Sequence, residues 1–343
     1  MNIIVDAREY ASIRPLTSEF YGGTELLLRH YVAALSEGGR HRVDVISCEP
    51  EEHHAYGAYW WTEKVYPRKC NVLVACEKLD LIHEFDFKRL IVPLNKPDPI
   101  LAGRADAVDA FVVLSHTHSD ILWAKNRSTI KSEQIFPVFP GVDLNKEHPG
   151  KMRKRILYSN SPGRGLIHLA RQWDMTRRLV PDAELAITYG VKRHFDGFRW
   201  AHNLDGDHYL EIWRWLESAP PGVINYDMLS RESILQIQAG CELFAYPLDP
   251  SVWGEAVHCL AAMEAAAAGC ALLLPAVEGM PELYEEAADF LHYPIEPEEW
   301  PEAIAMILAD RPALERKQRR NRKWAKSRPW SIHHRAWREI VEG

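Results

Sequence analysis

The stretch Tyr158-Ser159-Asn160-Ser161-Pro162-Gly163-Arg164-Gly165-Leu166 decides the fold. An apolar run, Ile156-Leu157-Tyr158-Ser159, leads into it, and apolar residues at helical spacing over about 166–179 lead out of it. Strand, polar glycine-containing loop, helix is the repeating unit of a parallel α/β sheet. Arg164 stands in that loop. There its guanidinium pairs with diphosphate oxygens in place of a metal ion, or it is a solvated arginine on a surface loop.

Further strands are predicted downstream at Ala183–Ile187, Val223–Tyr226, Leu243–Tyr246 and Ala271–Leu274, with an alanine-rich helix, Leu260–Ala268, ended by Gly269. Upstream, the Pro137–Asp143 loop and the polar, basic stretch 145–155 mark a domain boundary. Before it lies another α/β series. It comprises Ile3-Ile4-Val5, a helix over about 25–37 stopped by Gly38-Gly39, then Val43–Ile46, Val72–Ala75, Leu90–Leu94 and Ala110–Leu114. The chain therefore reads as two doubly wound α/β domains, 1–148 and 149–327, with a last segment 328–343. No G-x-G-x-x-G occurs, which weighs against a dinucleotide-dependent dehydrogenase.

Composition agrees. The chain has 343 residues, 47% hydrophobic and 26% charged, which excludes bulk disorder and is enough to bury two cores. The net charge of −7 provides no global positive field for nucleic acid or anionic lipid. No apolar run approaches the roughly 20 residues of a membrane helix. Met1–Asp6 lacks a basic leader and reads as a first strand rather than a signal peptide. Six cysteines, none in C-x-x-C spacing, fit a reducing cytoplasm.

Other residues stand out chemically. Gly22-Gly23-Thr24-Glu25 lies between the first strand and the first helix, as a phosphate cradle or as a plain loop with Thr24 as N-cap. Glu264 sits in the alanine-rich helix without a neighbouring cation in sequence, and a bidentate acceptor there suits two vicinal ribose hydroxyls. Asp205-Gly206-Asp207 reads as a turn rather than a metal site. His116 and His118 follow a strand end, in acceptor or structural roles rather than as metal ligands. The basic run 316–328 reads as a solvated helix end or as a peripheral contact with anionic lipid, sugar-phosphate polymer or DNA. Trp60, Trp61, Trp213 and Trp215 read as core or interface packing rather than sugar stacking.

Taken in order, these pieces resemble the retaining GT-B glycosyltransferases of family 4. The resemblance runs through Gly22–Glu25, Val113-Leu114-Ser115, Pro140–Asp143, Tyr158–Leu166, Pro181–Leu185, Pro221-Gly222-Val223, Tyr246-Pro247, Met263–Cys270 and the terminal Trp330-Ser331-Ile332 with its helix. It implies two Rossmann-like domains facing a cleft, the first binding an acceptor and the second a nucleotide-sugar. The last helix would cross back onto the first domain. By position, Glu264 would hold the donor ribose. Arg164 would neutralise the diphosphate, helped by the Gly23 backbone, with Ser161 in the earlier slot of that cradle. Val257, His258 and Cys259 would line the sugar and phosphate pocket, and Met228 would lie beside the base. The resemblance implies a UDP-, GDP- or ADP-sugar co-substrate, retention, and neither metal nor resident cofactor.

The sequence also departs from that pattern. Eight residues separate Glu255 from Glu264 where the family has seven, so Glu255 reaches the sugar only with a one-residue shift. Asn95 stands where many members place a histidine on the transferred sugar. Two other functions keep the same fold: a DNA-modifying glycosyltransferase acting on a hydroxylated base, and a non-catalytic sugar-nucleotide-binding protein.

Overall fold

Short strands of three to six residues, most of them apolar, build two separate sheets, one mostly and one wholly parallel, in the computed structural model. It describes residues 1–8, 22–48, 52–77, 79–96, 105–144, 150–191, 206–248 and 257–343, except the side chains of 206 and 207. The described chain divides into one unit of Met1–Gly141 with Pro329–Gly343, and a second of Val142–Arg328.

In the first unit the strands are β1 (Asn2–Asp6), β2 (Arg42–Ser47), β3 (His53–Ala55), β4 (Ala58–Thr62), β5 (Val72–Ala75), β6 (Arg89–Pro93), β7 (Ala110–Val113) and β8 (Ile135–Pro137). They lie in the order β3-β4-β2-β1-β5-β6-β7-β8. All pairs are parallel except β3 with β4. Strands covered on both faces must be apolar throughout, and Ile3-Ile4-Val5 and Val72–Ala75 are fully buried. Helix α1 (Gly23–Ser36) buries Leu27, Leu28, Tyr31, Val32 and Leu35. Helix α2 (His116–Asn126) is capped by Ser115, whose hydroxyl oxygen accepts from the His118 N–H at 3.0 Å.

The second unit carries β9 (Arg155–Tyr158), α3 (Leu166–Arg171), α4 (Trp173–Leu179), β10 (Glu184–Ile187), α5 (Gly206–Glu217), β11 (Val223–Asn225), α6 (Arg231–Gly240), β12 (Leu243–Ala245), α7 (Leu260–Ala267), β13 (Ala271–Pro275), α8 (Gly279–Tyr284) and β14 (Ala288–Leu291). Helices α9 (Glu299–Ala309) and α10 (Arg311–Lys326) complete it. Its all-parallel sheet runs β11-β10-β9-β12-β13-β14, the doubly wound Rossmann order. The order reverses between β9 and β12. Lys151 ties helix ends together beneath this sheet: its Nζ donates to the carbonyls of Ala239 at 3.1 Å, Cys241 at 2.7 Å and Ala268 at 3.0 Å.

The chain then returns to the first unit as α11 (Trp330–Glu342), which packs on α1. Trp330 stacks on His30 with ring centroids 3.5 Å apart, and Trp337 lies 4.5 Å from Tyr31.

The fold is the two-domain doubly wound α/β class expected, with local differences. The single helix expected over 166–179 breaks at Gln172, whose ψ of 7° turns Trp173 into the core, where its indole N–H reaches the Pro221 carbonyl at 2.8 Å. The β3–β4 hairpin was not anticipated. It closes on Tyr56-Gly57, both left-handed (φ 54° and 77°), the geometry a two-residue hairpin demands but without the usual Asn-Gly or Asp-Gly signal. Trp60 and Trp61 belong to this hairpin: Trp60 is fully buried, and the Trp61 indole donates to Asp44 at 2.9 Å.

Candidate functional site

In an open parallel sheet, ligands bind beyond the carboxyl ends of the strands where the order reverses. In the second unit that point lies between the loop after β9 and the segment after β12. These are Ser159–Gly165 and Tyr246-Pro247.

Hydroxyls brace the first loop on several sides. The Tyr158 hydroxyl donates to the Ser161 carbonyl at 2.7 Å, and Thr188 Oγ1 donates to Ser159 Oγ at 2.8 Å. Tyr209, on α5, hydrogen-bonds the Ser161 side chain and the Gly163 backbone. The Arg164 N–H closes a turn on the Ser161 carbonyl at 2.9 Å. Gly165 has φ +99°, and a Cβ there would run into the Pro247 carbonyl, so the two segments touch through bare backbone.

Arg164 is thereby fixed. Its guanidinium hydrogen-bonds the hydroxyl of the fully buried Tyr246. The charge interaction with Tyr246 raises the Arg164 pKa and burial opposes it, with a net upward shift. Among the described residues no carboxylate forms an ion pair with it. The Cys259 thiol lies alongside, within 3.8 Å of Asn160, and burial pushes it up to about 11. Cys259 feels the charges of both Arg164 and Glu264, so one buried thiol lies within electrostatic reach of both. Tyr284 donates to the Cys259 carbonyl. His258 is half-buried with Nε2 3.4 Å from Met263 Sδ, and Val257 is buried.

Glu264 lies near the middle of α7 and is 7% exposed. The sequence showed no cation near it, but the fold supplies one. Arg231, the first residue of α6, grips it with two hydrogen bonds, Nη1 to Oε2 at 2.8 Å and Nη2 to Oε1. Gln238 Nε2 lies 3.5 Å from Oε2. Met228 precedes the same helix and packs on the backbone at Gly190, where a Cβ would lie 3.4 Å from its sulfur. Sequence reading passed over Arg231 because 33 residues separate it from Glu264. It also passed over Glu278, after β13, which holds φ +44° and acts electrostatically on Tyr246.

In the first unit several expectations need correction. Gly22, not Thr24, is the N-cap of α1, and its N–H donates to Glu25 Oε2 at 3.0 Å. That amide is engaged in the helix's own capping bond, and Gly23 and Thr24 are the first residues of the helix. His118 is no acceptor contact: it is fully buried and its Nδ1 accepts from the Leu114 N–H at 3.2 Å, bracing the strand–helix corner. His116 is exposed and meets Phe139 edge-on at 5.3 Å. Asn95 follows β6, its backbone N–H donating to Glu77 Oε1 at 3.2 Å. Both polar atoms of its carboxamide are buried without a partner among the described residues.

Glu255 and Asp205 lie outside the described residues, and helix α5 begins at Gly206. In the basic run, Lys317 pairs with Asp289 and Arg320 donates to the Ala287 carbonyl, whereas Arg316, Arg322, Lys323 and Lys326 are exposed. Among the described residues no helix is long and apolar enough to cross a membrane.

No family model matches the chain, and no curated protein matches it in sequence. Solved structures do match it in fold. Sucrose-phosphate synthase from Thermosynechococcus elongatus aligns with a TM-score of 0.77 at 14% identity, covering 100% of this chain and 98% of that one. HepE from Anabaena, solved with UDP and glucose, gives 0.68 at 13% identity over 100% and 99%. WaaG, a glycosyltransferase involved in lipopolysaccharide biosynthesis, gives 0.65 at 12% identity over 100% of both chains. The fold is that of the GT-B glycosyltransferases.

Proposed function

We propose that this chain is a nucleotide-sugar-dependent glycosyltransferase of the retaining family 4 type, moving a hexosyl group from a UDP-, GDP- or ADP-sugar to an acceptor hydroxyl. The observation that carries this reading is Arg164. It is a partly buried guanidinium, braced by Tyr246 at the point where the strand order reverses, with no carboxylate partner among the described residues. A desolvated cation of this kind calls for an anion, and a diphosphate supplies one with matching bidentate geometry.

As the glycosidic bond stretches, charge builds on the departing diphosphate. Arg164, already held in place, stabilises that charge without reorganising. Glu264 accepts from the ribose hydroxyls, Met228 lies beside the base, and Val257, His258 and Cys259 line the sugar and phosphate. Retention follows if the acceptor hydroxyl attacks from the face the diphosphate leaves. Asn95 and His116 are proposed on the acceptor side. Because Arg164 does the work a metal ion does elsewhere, turnover is expected to survive EDTA.

The test is thermal unfolding with UDP, GDP and ADP, together with release of free nucleotide from the matching sugars. One diphosphate should raise the melting temperature, since only the folded state binds it. Arg164→Ala should abolish that rise and lower turnover by roughly 10²–10³-fold. Negligible shifts with all three nucleotides would overturn the reading.

A further inference from the structure

We propose that Arg231 is a positioning residue that sets selectivity for ribose over 2′-deoxyribose in the bound nucleotide, acting through Glu264. This rests on the nucleotide-sugar reading above.

The carboxylate of Glu264 is flanked along α7 by the buried side chains of Ala262, Met263 and Ala265–Ala267. A lone carboxylate in such a setting would rotate towards any donor. Arg231 prevents that. Its fork contacts both oxygens, which fixes the plane of the carboxylate. Gln238, on the same helix, approaches Oε2 from a second direction.

The fork uses one acceptor direction on each oxygen, and an ionised carboxylate has about four in all. The second direction stays open on Oε1, where a ribose hydroxyl can donate, and on Oε2 it is met by the long 3.5 Å contact from Gln238. The pair is shielded but not sealed, with side-chain exposures of 21% for Arg231 and 8% for Glu264.

Arg231 is itself well anchored. Ser230 caps α6 by accepting from the Ser233 N–H at 3.3 Å. Asp227 and Met228, shortly before it, lie close to Gly190, where a Cβ would be 3.5 Å from Asp227 Oδ1 and 3.4 Å from Met228 Sδ. The connection from β11 into the first turn of α6 therefore carries both Met228, proposed beside the base, and Arg231, which aims the ribose acceptor.

The test measures equilibrium binding of the nucleoside diphosphate that most stabilises the wild type, against its 2′-deoxy form. The wild type should prefer the ribose form by about tenfold or more. Arg231→Met should bring that ratio close to one. Arg231→Lys, which keeps the charge and loses the fork, should fall between, and it also serves if the Met variant does not fold. Glu264→Gln should behave like Arg231→Met. A merely structural role would weaken both nucleotides equally and leave the ratio unchanged, and that result overturns the proposal. So does tight wild-type binding with no preference between the two sugars. If the wild type binds none of UDP, GDP or ADP, the nucleotide-sugar reading itself fails and takes this inference with it.

Discussion

At the residue scale, the loop after β9 depends on one atom that is absent. Gly165 approaches the Pro247 carbonyl too closely for any side chain, and its φ of +99° is strained for any other residue. Gly165→Ala is therefore expected to destabilise the second unit by at least about 2 kcal/mol, from left-handed strain plus the clash. Urea unfolding would measure it, and an unchanged midpoint would show that the loop and Pro247 do not need this contact. The loop itself was legible in sequence because it lies within nine consecutive residues, where glycine, polar side chains and an arginine follow an apolar run. Glu264 was legible as an anomaly, a carboxylate among alanines. Its resolution was not, because the pairing of residues 231 and 264 is a property of two packed helices and leaves no local trace. The N-cap was misread for a related reason: the capping bond that the Gly22 N–H donates to Glu25 and a phosphate cradle use the same short Gly-Gly-Thr-Glu string.

At the element scale, the strands that were legible are those buried on both faces, β5 above all, where continuous apolar runs admit little else. The β3–β4 edge hairpin escaped because its Tyr56-Gly57 turn lacks the usual dipeptide signal, and the break between α3 and α4 because it goes with a tertiary contact of Trp173. Helix α11 makes the sharpest prediction here. His333 is 1% exposed, hydrogen-bonded at Nδ1 to the Phe139 carbonyl at 3.1 Å, and stacked on Tyr31. Burial, reinforced by His334, lowers its pKa from 6.5 to about 3, although the Phe139 bond opposes the shift. Below pH 6.5 the unfolded chain binds a proton that the native ring refuses, so stability is full above that pH and falls as the pH drops towards 3. This one group contributes a slope of up to about 1.4 kcal/mol per pH unit. His333→Gln should flatten that part of the pH profile in urea melts. A variant with the wild-type slope would mean that other groups carry the acid sensitivity.

At the scale of the whole molecule, the chain does not finish its first unit before it builds the second. Met1–Gly141 is completed only by Pro329–Gly343, which follows all of Val142–Arg328. Until that segment docks, Tyr31 on α1 lacks its contacts with His333 and Trp337, and His30 lacks its stack on Trp330. Arg89 likewise lacks the Ile340 and Val341 carbonyls that its guanidinium reaches at 3.1 and 3.0 Å. The terminal Trp-containing segment stood out in the sequence, but its partners lie some 300 positions earlier, as in the ion pair of Glu37 with Arg338. Trp330, Trp337 and Val341 are each 5% exposed or less, and removing even two large buried side chains from a core costs about 3–5 kcal/mol apiece. A chain ending at Arg328 should thus leave the first unit loosened or unfolded while the second keeps its structure and any nucleotide-induced rise in melting temperature. Limited proteolysis followed by mass spectrometry separates the two units directly. Cleavage should concentrate within residues 1–141 and spare 150–328. Equal protection of both halves in the truncated chain would show that the first unit folds without its last helix.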